Sequence, residues 1–247
     1  KYKLEKTILN NADHIIANTY GNQDVYTKDF KINKNKITVI TNGYNPSEMS
    51  PSSKDNVEKP CIFSIGYMGY FDKAGFPWKI FLQSIKNLVS NYGNQKILVK
   101  ICGHISENAI KYIQKNGLEK NIQLFGVLPH SDAVNIIKRC DLLLLLMYEN
   151  EYSHNIVPHK LYPYLGMKKP ILAIAQENGE VSKIINKTNT GIVISSANAE
   201  KIDNTLSHYY NSRITNGFIE YNGISNEIER YDIIKLTKKL SDTIMSL

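Results

Sequence analysis

The sequence predicts an α/β fold built on a doubly wound parallel (Rossmann-like) sheet. Short apolar runs alternate with segments of helical spacing along most of the 247 residues. The runs 141–147 and 171–175 are dominated by apolar residues, which is typical of strands covered on both faces. Strands that alternate with helices of this length form right-handed crossover units, and those units build a parallel sheet.

The first part of the chain contains two such alternations. The predicted elements are a helix at 1–11, a strand at 14–17, a helix at 22–30 and a strand at 37–40. The second strand runs into Thr41, Asn42 and Gly43, a turn signal. Residues 46–60 are polar and aperiodic, which predicts a linker.

Six strands are predicted after the linker, at 61–65, 97–101, 122–125, 141–147, 171–175 and 192–194. The predicted helices lie at 77–92, 107–115, 132–139, 160–166, 180–186, 199–210 and 230–244. Ser131 is the expected N-cap of the third of these helices, and Gly166 is expected to end the fourth. The last helix carries an apolar stripe of Ile233, Leu236, Leu240 and Ile244.

The formal net charge of +7 favours anionic ligands or an acidic membrane face, although abundant lysine explains it equally well. No basic cluster alternates with aromatic residues, so a nucleic-acid partner is not predicted. Cys61, Cys102 and Cys140 lack the spacing of a zinc site or a disulfide framework. They indicate buried thiols in a reducing compartment. With no signal peptide and no apolar run of membrane-spanning length, the expected location is the cytoplasm, with peripheral membrane attachment as an option.

The loops after the predicted strands hold the candidate binding residues, because parallel strands bind ligands at their carboxyl ends. The turn from Gly66 to Lys73 lacks the GxGxxG order, so a nicotinamide cofactor is not predicted. Gly69 would let backbone N–H groups approach a phosphate, and Lys73 would add charge. A tight turn with a solvated lysine explains the same residues.

Later loops repeat this pattern. Gly103 and Gly126 allow close approach to a base or sugar, or are ordinary loop residues. In the loop 148–159, His154 and His159 lie near Lys160, and this group could hold a diphosphate. Their spacing is not that of a metal pair. Glu149 and Glu151 are expected to be solvated, and no catalytic triad or carboxylate pair is present.

Several segments together resemble nucleotide-sugar-dependent glycosyltransferases of the GT-B fold, close to the large retaining family 4. The segments are ADHIIAN at 12–18, ITVITNG at 37–43, NIQLFG at 121–126, DLLLLL at 141–146, VPHKLYPYLGMKKPILA at 157–173 and ERYD at 229–232. Each segment is moderately specific, and their shared order is the strong signal.

The resemblance implies the C-terminal half of a GT-B enzyme. Residues 1–45 would be the tail of the N-terminal acceptor domain, 46–60 the linker, 61–228 the nucleotide-sugar donor domain and 229–247 a cross-over helix. It implies that Gly103, Gly126, Val127 and Leu128 lie at the base and ribose, and that Gly69, Lys73, His154 and Lys160 meet the diphosphate. Asn155 would lie at the donor sugar. No metal or other cofactor is expected besides a substrate such as a UDP- or GDP-sugar.

The sequence departs from the family pattern at three positions. Family members have two glutamates, one at the transferred sugar and one at the ribose; here these positions hold Asn155 and Pro163. The usual Gly-Arg after the first donor-domain strand is Gly66-Tyr67. The chain also opens on Lys1 rather than Met, as a fragment or processed product would. The early strands and the last helix are expected either to pair between two copies, as a homodimer, or to form one small subdomain.

The predicted function is transfer of a hexose, with retention, from a nucleotide diphosphate sugar to a saccharide or lipid-linked acceptor in surface polysaccharide biosynthesis. A degenerate, non-catalytic homologue that only binds a partner is the alternative. A sugar-nucleotide epimerase shares the architecture but needs carboxylates in the cleft, and the sequence offers no convincing pair.

Overall fold

A six-stranded, fully parallel sheet forms the centre of the protein, as the sequence predicts. The computed structural model describes residues 2–49, 62–151 and 153–247. The strands are β3 (Phe63–Met68), β4 (Ile97–Cys102), β5 (Ile122–Gly126), β6 (Leu142–Leu146), β7 (Ile171–Ile174) and β8 (Gly191–Ile194). Their spatial order is β5-β4-β3-β6-β7-β8. From β3 to β5 successive strands are added towards one edge of the sheet, and from β6 to β8 they are added towards the other edge. A crevice forms between β3 and β6, where this order of addition reverses.

Helices cover both faces of this sheet. They are α4 (Trp78–Tyr92), α5 (Glu107–Lys115), α6 (His130–Ile137), α7 (Leu161–Gly166), α8 (Glu180–Thr188), α9 (Ala199–Asn216) and the single turn α10 (Ser225–Ile228). The five leucines of β6 alternate between the two cores: Leu142, Leu144 and Leu146 face one, and Leu143 and Leu145 the other. This explains a strand without polar positions, since neither face meets water.

The early part of the chain forms a second, two-stranded parallel sheet. It consists of α1 (Tyr2–Asn11), β1 (Ile15–Ala17), α2 (Tyr20–Lys28), β2 (Ile37–Val39) and the single turn α3 (Pro46–Met49). This unit has an apolar core of its own, to which Phe30 and Ile32 contribute.

The last helix, α11 (Ile233–Met245), joins this early unit. Tyr44 accepts a hydrogen bond from the Ile233 N–H (3.0 Å) and donates one to the Tyr231 carbonyl (2.8 Å). The Lys239 ammonium donates to the Val39 carbonyl at 2.9 Å. The early strands and the last helix therefore lie together within one chain, and the homodimer stays a prediction.

Several local expectations were wrong. The third helix of the donor unit begins at His130 after Pro129 and has no side-chain cap, so Ser131 lies inside its first turn. The last helix begins at Ile233, with Asp232 as the N-cap that accepts the Ile234 N–H. On its apolar stripe Leu236 is buried, whereas Ile233 and Ile244 are exposed.

The predicted linker differs from expectation at its start, whereas Gly166 lies where it was expected. Residues 46–49 form one helical turn, and the rest of the predicted linker, with Cys61, lies outside the described residues. Gly166 is the last residue of α7, as the sequence predicts. A Cβ there would lie 2.7 Å from the Tyr44 ring, so this glycine makes room for the chain that enters from β2.

A buried ion pair fixes the amino ends of the two central strands. Arg213 on α9 donates through Nε to Asp141 Oδ1 at 3.1 Å, and both side chains are at least 90% buried. The other carboxylate oxygen, Oδ2, accepts the Ser64 N–H (2.9 Å) and hydroxyl (2.6 Å). Asp141 therefore links β3, β6 and α9 through charged hydrogen bonds that water does not screen.

We expect Arg213→Ala to lower the free energy of unfolding by about 3–5 kcal/mol, because it leaves the Asp141 carboxylate buried without its cation. Chemical denaturation measures this change. Arg230→Ala is the matched control: Arg230 is half-exposed in its pair with Glu227, and its loss should cost about 1 kcal/mol or less. Equal losses in the two variants would contradict a structural role for the buried pair.

Candidate functional site

The candidate site is the crevice at the carboxyl ends of β3 and β6. The loop after β3 carries Gly69 and Lys73, and the chain after β6 leads through residues 148–159 to Lys160 at the start of α7. The two loops meet, since a Cβ on Gly75 would lie 3.2 Å from Tyr148 Cβ. The Phe76 and Tyr148 rings are 5.9 Å apart.

Lys160 is the central cation of this crevice. Its Nζ donates a 2.6 Å hydrogen bond to the Tyr67 hydroxyl and lies 3.9 Å from the centroid of the same ring. The Phe76 ring is 5.8 Å away. The Tyr67 hydroxyl in turn donates to the Tyr70 carbonyl at 2.7 Å. In the described part of the chain, no carboxylate pairs with this ammonium group.

Burial without a counter-ion changes the protonation of Lys160. Desolvation, followed by repulsion from Lys73, lowers its pKa from 10.5 to about 7. Burial raises the pKa of Tyr67, so its hydroxyl remains a neutral hydrogen-bond partner. Lys160 is therefore poised to gain a proton when an anion approaches it.

The three predicted glycines lie side by side across the loops. The Gly69 N–H donates to the Cys102 carbonyl (2.8 Å), and the Gly103 N–H donates to the Gly126 carbonyl (2.7 Å). These two N–H groups are engaged by carbonyl groups of neighbouring loops. The glycines supply space instead. A Cβ on Gly103 would collide with the Gly69 carbonyl, and one on Gly69 would lie 3.2 Å from Lys160 Nζ.

The structure brings some predicted residues together and separates others. Lys73 lies near enough to Lys160 to affect its pKa. His154 lies in a short 3-10 helix, with its carbonyl against Gly179 after β7, and among the described residues no contact joins it to Lys160. The site residues stay predictions, and the geometry groups Gly69, Lys73 and Lys160 more tightly than His154.

Asn155 and Pro163 occupy different surroundings. The Asn155 side chain packs directly on Gly21 of α2, and its carbonyl accepts the Thr19 hydroxyl at 3.3 Å. The predicted donor-sugar position therefore lies where the early unit meets the six-stranded unit. Pro163 is buried inside α7.

The predicted base site lies after β5. Gly126 has a positive φ of 67°, and a Cβ there would meet open space. The Val127 side chain is 79% exposed, while Leu128 packs against the second core. An apolar side chain this exposed beside a backbone turn leaves a surface on which a planar ring could lie.

Sequence reasoning missed the residues that hold the crevice in shape. Tyr67 and Phe76 lie against Lys160. The only signal in the sequence was their position, Tyr67 near the end of β3 and Phe76 just before α4. Glu149 was expected to be solvated, but it accepts hydrogen bonds from the Ser195 hydroxyl (2.6 Å) and the Ser196 N–H (2.5 Å). That carboxylate ties the loop after β6 to the loop after β8.

A protein-family model confirms the resemblance to glycosyltransferases. The model described as "Glycosyl transferases group 1" matches residues 65–225, which begin within β3 and include the other five strands of the large sheet. The chain belongs to this family. A curated relative, "Probable glycosyltransferase WbjE" of Pseudomonas aeruginosa, is 30% identical over 114 residues, or 44% of this chain and 28% of WbjE.

Solved structures share the fold of this group 1 glycosyl transferase. Anabaena Alr3699/HepE, in a structure titled as a complex with UDP and glucose, superposes with a TM-score of 0.73 at 15% identity. That match covers 99% of this chain and 66% of the HepE chain. The lipopolysaccharide outer core galactosyltransferase WaaB gives a TM-score of 0.66 at 17% identity, over 95% of this chain and 65% of that one. The fold is that of the GT-B glycosyltransferases.

This chain spans only part of the length of these relatives. Within residues 2–49, 62–151 and 153–247, no helix combines the length and apolar character needed to cross a membrane.

We expect Gly103→Ala to destabilise the loops of the crevice, because its φ of 143° and the nearby Gly69 carbonyl both disfavour a Cβ. The free energy of unfolding should fall by about 2 kcal/mol or more. Gly117→Ala is the control, with a positive φ of 68° and open space around its Cα; it should cost about 1 kcal/mol. If Gly117→Ala lowered the free energy of unfolding more than Gly103→Ala, the close approach of the Gly103 and Gly69 backbones would not contribute to stability.

Lys160 should give stability a pH dependence. The unfolded chain protonates this amine up to pH 10.5, whereas the folded protein releases the proton near pH 7. The unfolded state thus binds more protons between these values, so the Lys160 contribution to stability rises with pH across this window. Denaturation midpoints of the parent and Lys160→Met, compared from pH 6 to 10, measure it. Parallel curves for the two proteins would contradict the lowered pKa.

Proposed function

We propose that this chain provides the donor-binding part of a family 4 glycosyltransferase. The reaction moves a hexose, with retention, from a nucleotide diphosphate sugar to a saccharide or lipid-linked acceptor. One observation carries the proposal: a lysine ammonium, Lys160, lies in the switch-point crevice beside Gly69 with no carboxylate partner among the described residues. A buried amine without a partner holds its proton weakly, and an anion that binds beside it would stabilise the charged form.

The chemistry of such a transfer matches this arrangement. When the sugar leaves, negative charge grows on the diphosphate, and a positioned cation stabilises it. Lys160 would take this role, with Lys73 as the second positive charge. The residues of the crevice supply both charges, so the proposal needs no metal. We propose no catalytic base in this chain.

The donor and setting are proposed from the relatives. The HepE structure is a complex with UDP and glucose, which supports a UDP-sugar over a GDP-sugar. The name of WaaB, a lipopolysaccharide galactosyltransferase, supports a role in surface polysaccharide assembly. We place the protein in the cytoplasm or peripherally on the inner face of the membrane, where such acceptors are assembled.

The domain assignment remains part of this proposal. Residues 61–228 would be the donor domain, 1–45 the tail of the acceptor domain, 46–60 the linker and 229–247 the cross-over helix. The family match to residues 65–225 supports the first of these. The hydrogen bonds of Tyr44 to Tyr231 and Ile233 support the last, because they return the chain to the early unit.

A non-catalytic binding module is the second candidate. It is favoured by Pro163, which is buried in α7 where the family has a ribose-binding glutamate and which cannot hydrogen-bond a hydroxyl. It is also favoured by Asn155, which replaces the sugar-binding glutamate and packs on Gly21.

Calorimetric titration with UDP, GDP and ADP distinguishes the two candidates. We expect one diphosphate, UDP by preference, to bind, and Lys160→Ala to weaken it about tenfold or more, because a charge-assisted hydrogen bond is lost. Lys28→Ala, on the exposed outer side of α2, should leave affinity unchanged. No binding of any diphosphate would favour the non-catalytic module.

Proton uptake provides a second readout. Above pH 7 the empty site holds Lys160 largely neutral, and the bound diphosphate would restore its charge. Titrations at pH 8 in two buffers of different ionisation enthalpy should reveal uptake approaching about one proton per diphosphate, absent in Lys160→Ala. Equal uptake in both proteins would assign the proton to another group.

A further inference from the structure

A second, basic groove lies beyond β7, away from the Lys160 crevice. It has a volume of about 530 Å³ and is bounded by the ends of α2 and β2 on one side and by α8 and α11 on the other. Five cations line it: Lys183, Lys187, Arg230, Lys235 and Lys239. A volume of this size suits a small ligand.

The groove carries excess positive charge. Lys183 pairs with Glu180 (2.8 Å), Lys187 and Arg230 share Glu227 (3.3 and 3.5 Å), and Lys235 pairs with Glu229 (2.6 Å). Lys239 instead donates to the Val39 carbonyl. Five cations thus face three carboxylates, which leaves two positive charges uncompensated within the described surroundings.

The cations in these ion pairs remain accessible to an incoming anion. The side chains of Lys183, Lys187, Arg230 and Lys235 are 50% to 58% exposed. Exposed pairs contribute about 0–1 kcal/mol each, so an incoming anion can take over their donors at small cost. A phosphate monoester, with up to two charges and three acceptor oxygens, uses several such donors at once.

Neutral donors complete the lining. Tyr20, Thr41 and Tyr231 contribute hydroxyl groups to the groove. Tyr231 is buried, and burial raises its pKa to about 12, so its hydroxyl keeps its proton. A ligand with both a phosphate and sugar hydroxyls could satisfy this mixture of charged and neutral groups.

One end of the groove reaches the proposed donor-sugar position. Tyr20 precedes Gly21, on which the Asn155 side chain packs, and Thr19 donates to the Asn155 carbonyl. Glu180 begins α8 at the carboxyl edge of the sheet, on the same side as the donor loops. The groove then continues along α8 and α11, away from the Lys160 crevice.

We propose that this groove binds the phosphate of the acceptor, so that the acceptor is a phosphate-bearing molecule whose reactive hydroxyl is held near Asn155. This inference rests on the proposed function, because it takes the donor sugar to lie at Asn155. Two sources share this chemistry: a free sugar phosphate and a phosphate-linked lipid.

The test uses the whole chain and glucose 6-phosphate as the probe, with glucose as the uncharged comparison. We expect calorimetry to detect glucose 6-phosphate and not glucose. The double variant Lys187→Glu/Lys235→Glu should weaken binding at least about tenfold, since it removes two donors and adds two repelling charges. The matched control is Lys79→Glu/Lys111→Glu, which makes the same charge change on exposed lysines of α4 and α5.

Vesicles distinguish the sources of the phosphate. Co-sedimentation with phosphatidylcholine vesicles containing phosphatidic acid, lost in Lys187→Glu/Lys235→Glu and kept in the control, would support the groove and identify a lipid phosphate. Binding of glucose 6-phosphate alone, with the same variant pattern, would support it and identify a soluble phosphate. Equal losses in both double variants would overturn the proposal, since they would reflect net charge.

Two further results would also overturn it. If UDP displaced glucose 6-phosphate, the phosphate would be bound at the donor crevice. If neither phosphate probe bound while UDP did, the groove proposal would fail and the donor site would stand. Binding of the probes in the groove without any nucleoside diphosphate binding would instead contradict the proposed donor site, and with it the acceptor role of the groove.

Discussion

The rest of the structure depends on the burial of β3 on both faces. Its neighbours are β4 on one side and β6 on the other, so the switch in strand order falls beside it. The close packing around β3 leaves no room for a side chain at Gly66, because a Cβ there would lie 2.9 Å from Ile137 Cγ2 and 3.0 Å from Cys140 Sγ. With β3 fixed, Tyr67 and the loop that follows it lie at the carboxyl end of the sheet, where they meet Lys160 from the chain after β6.

The crevice buries an amine that loses its proton more readily than an exposed lysine, because burial lowers the pKa of Lys160 to about 7. Lys160 is held by a hydroxyl and two aromatic faces, which attract an ammonium group but do not neutralise it. An anion that binds beside Lys160 would favour its charged form, and this is the physical basis of the donor site proposed above.

The early unit and the last helix change how the large sheet is used. Thr19 and Gly21 contact Asn155, and Tyr44 enters between α7 and the start of α11. The carboxyl ends of the small sheet thus face the loops of the large one. Positive charge therefore lies on two sides of this junction, at Lys160 on the β3 side and along the basic groove on the β7 side.

The sequence by itself determined the six strands, their alternation with helices, and the parallel sheet that this alternation builds. It also located the loops that carry glycine and lysine, because hydrophobic periodicity is a local property of the chain. It also determined the family, through the order of short segments. Only the tertiary structure decided which hydrogen bonds these loops make. Gly69 and Gly103 donate their N–H groups to carbonyl groups of neighbouring loops, and Glu149 accepts hydrogen bonds from Ser195 and Ser196. Lys160 donates a hydrogen bond to the Tyr67 hydroxyl. Those partners lie between 23 and 93 positions apart in the chain. Their meeting is a consequence of strand order, which spacing along a sequence does not encode.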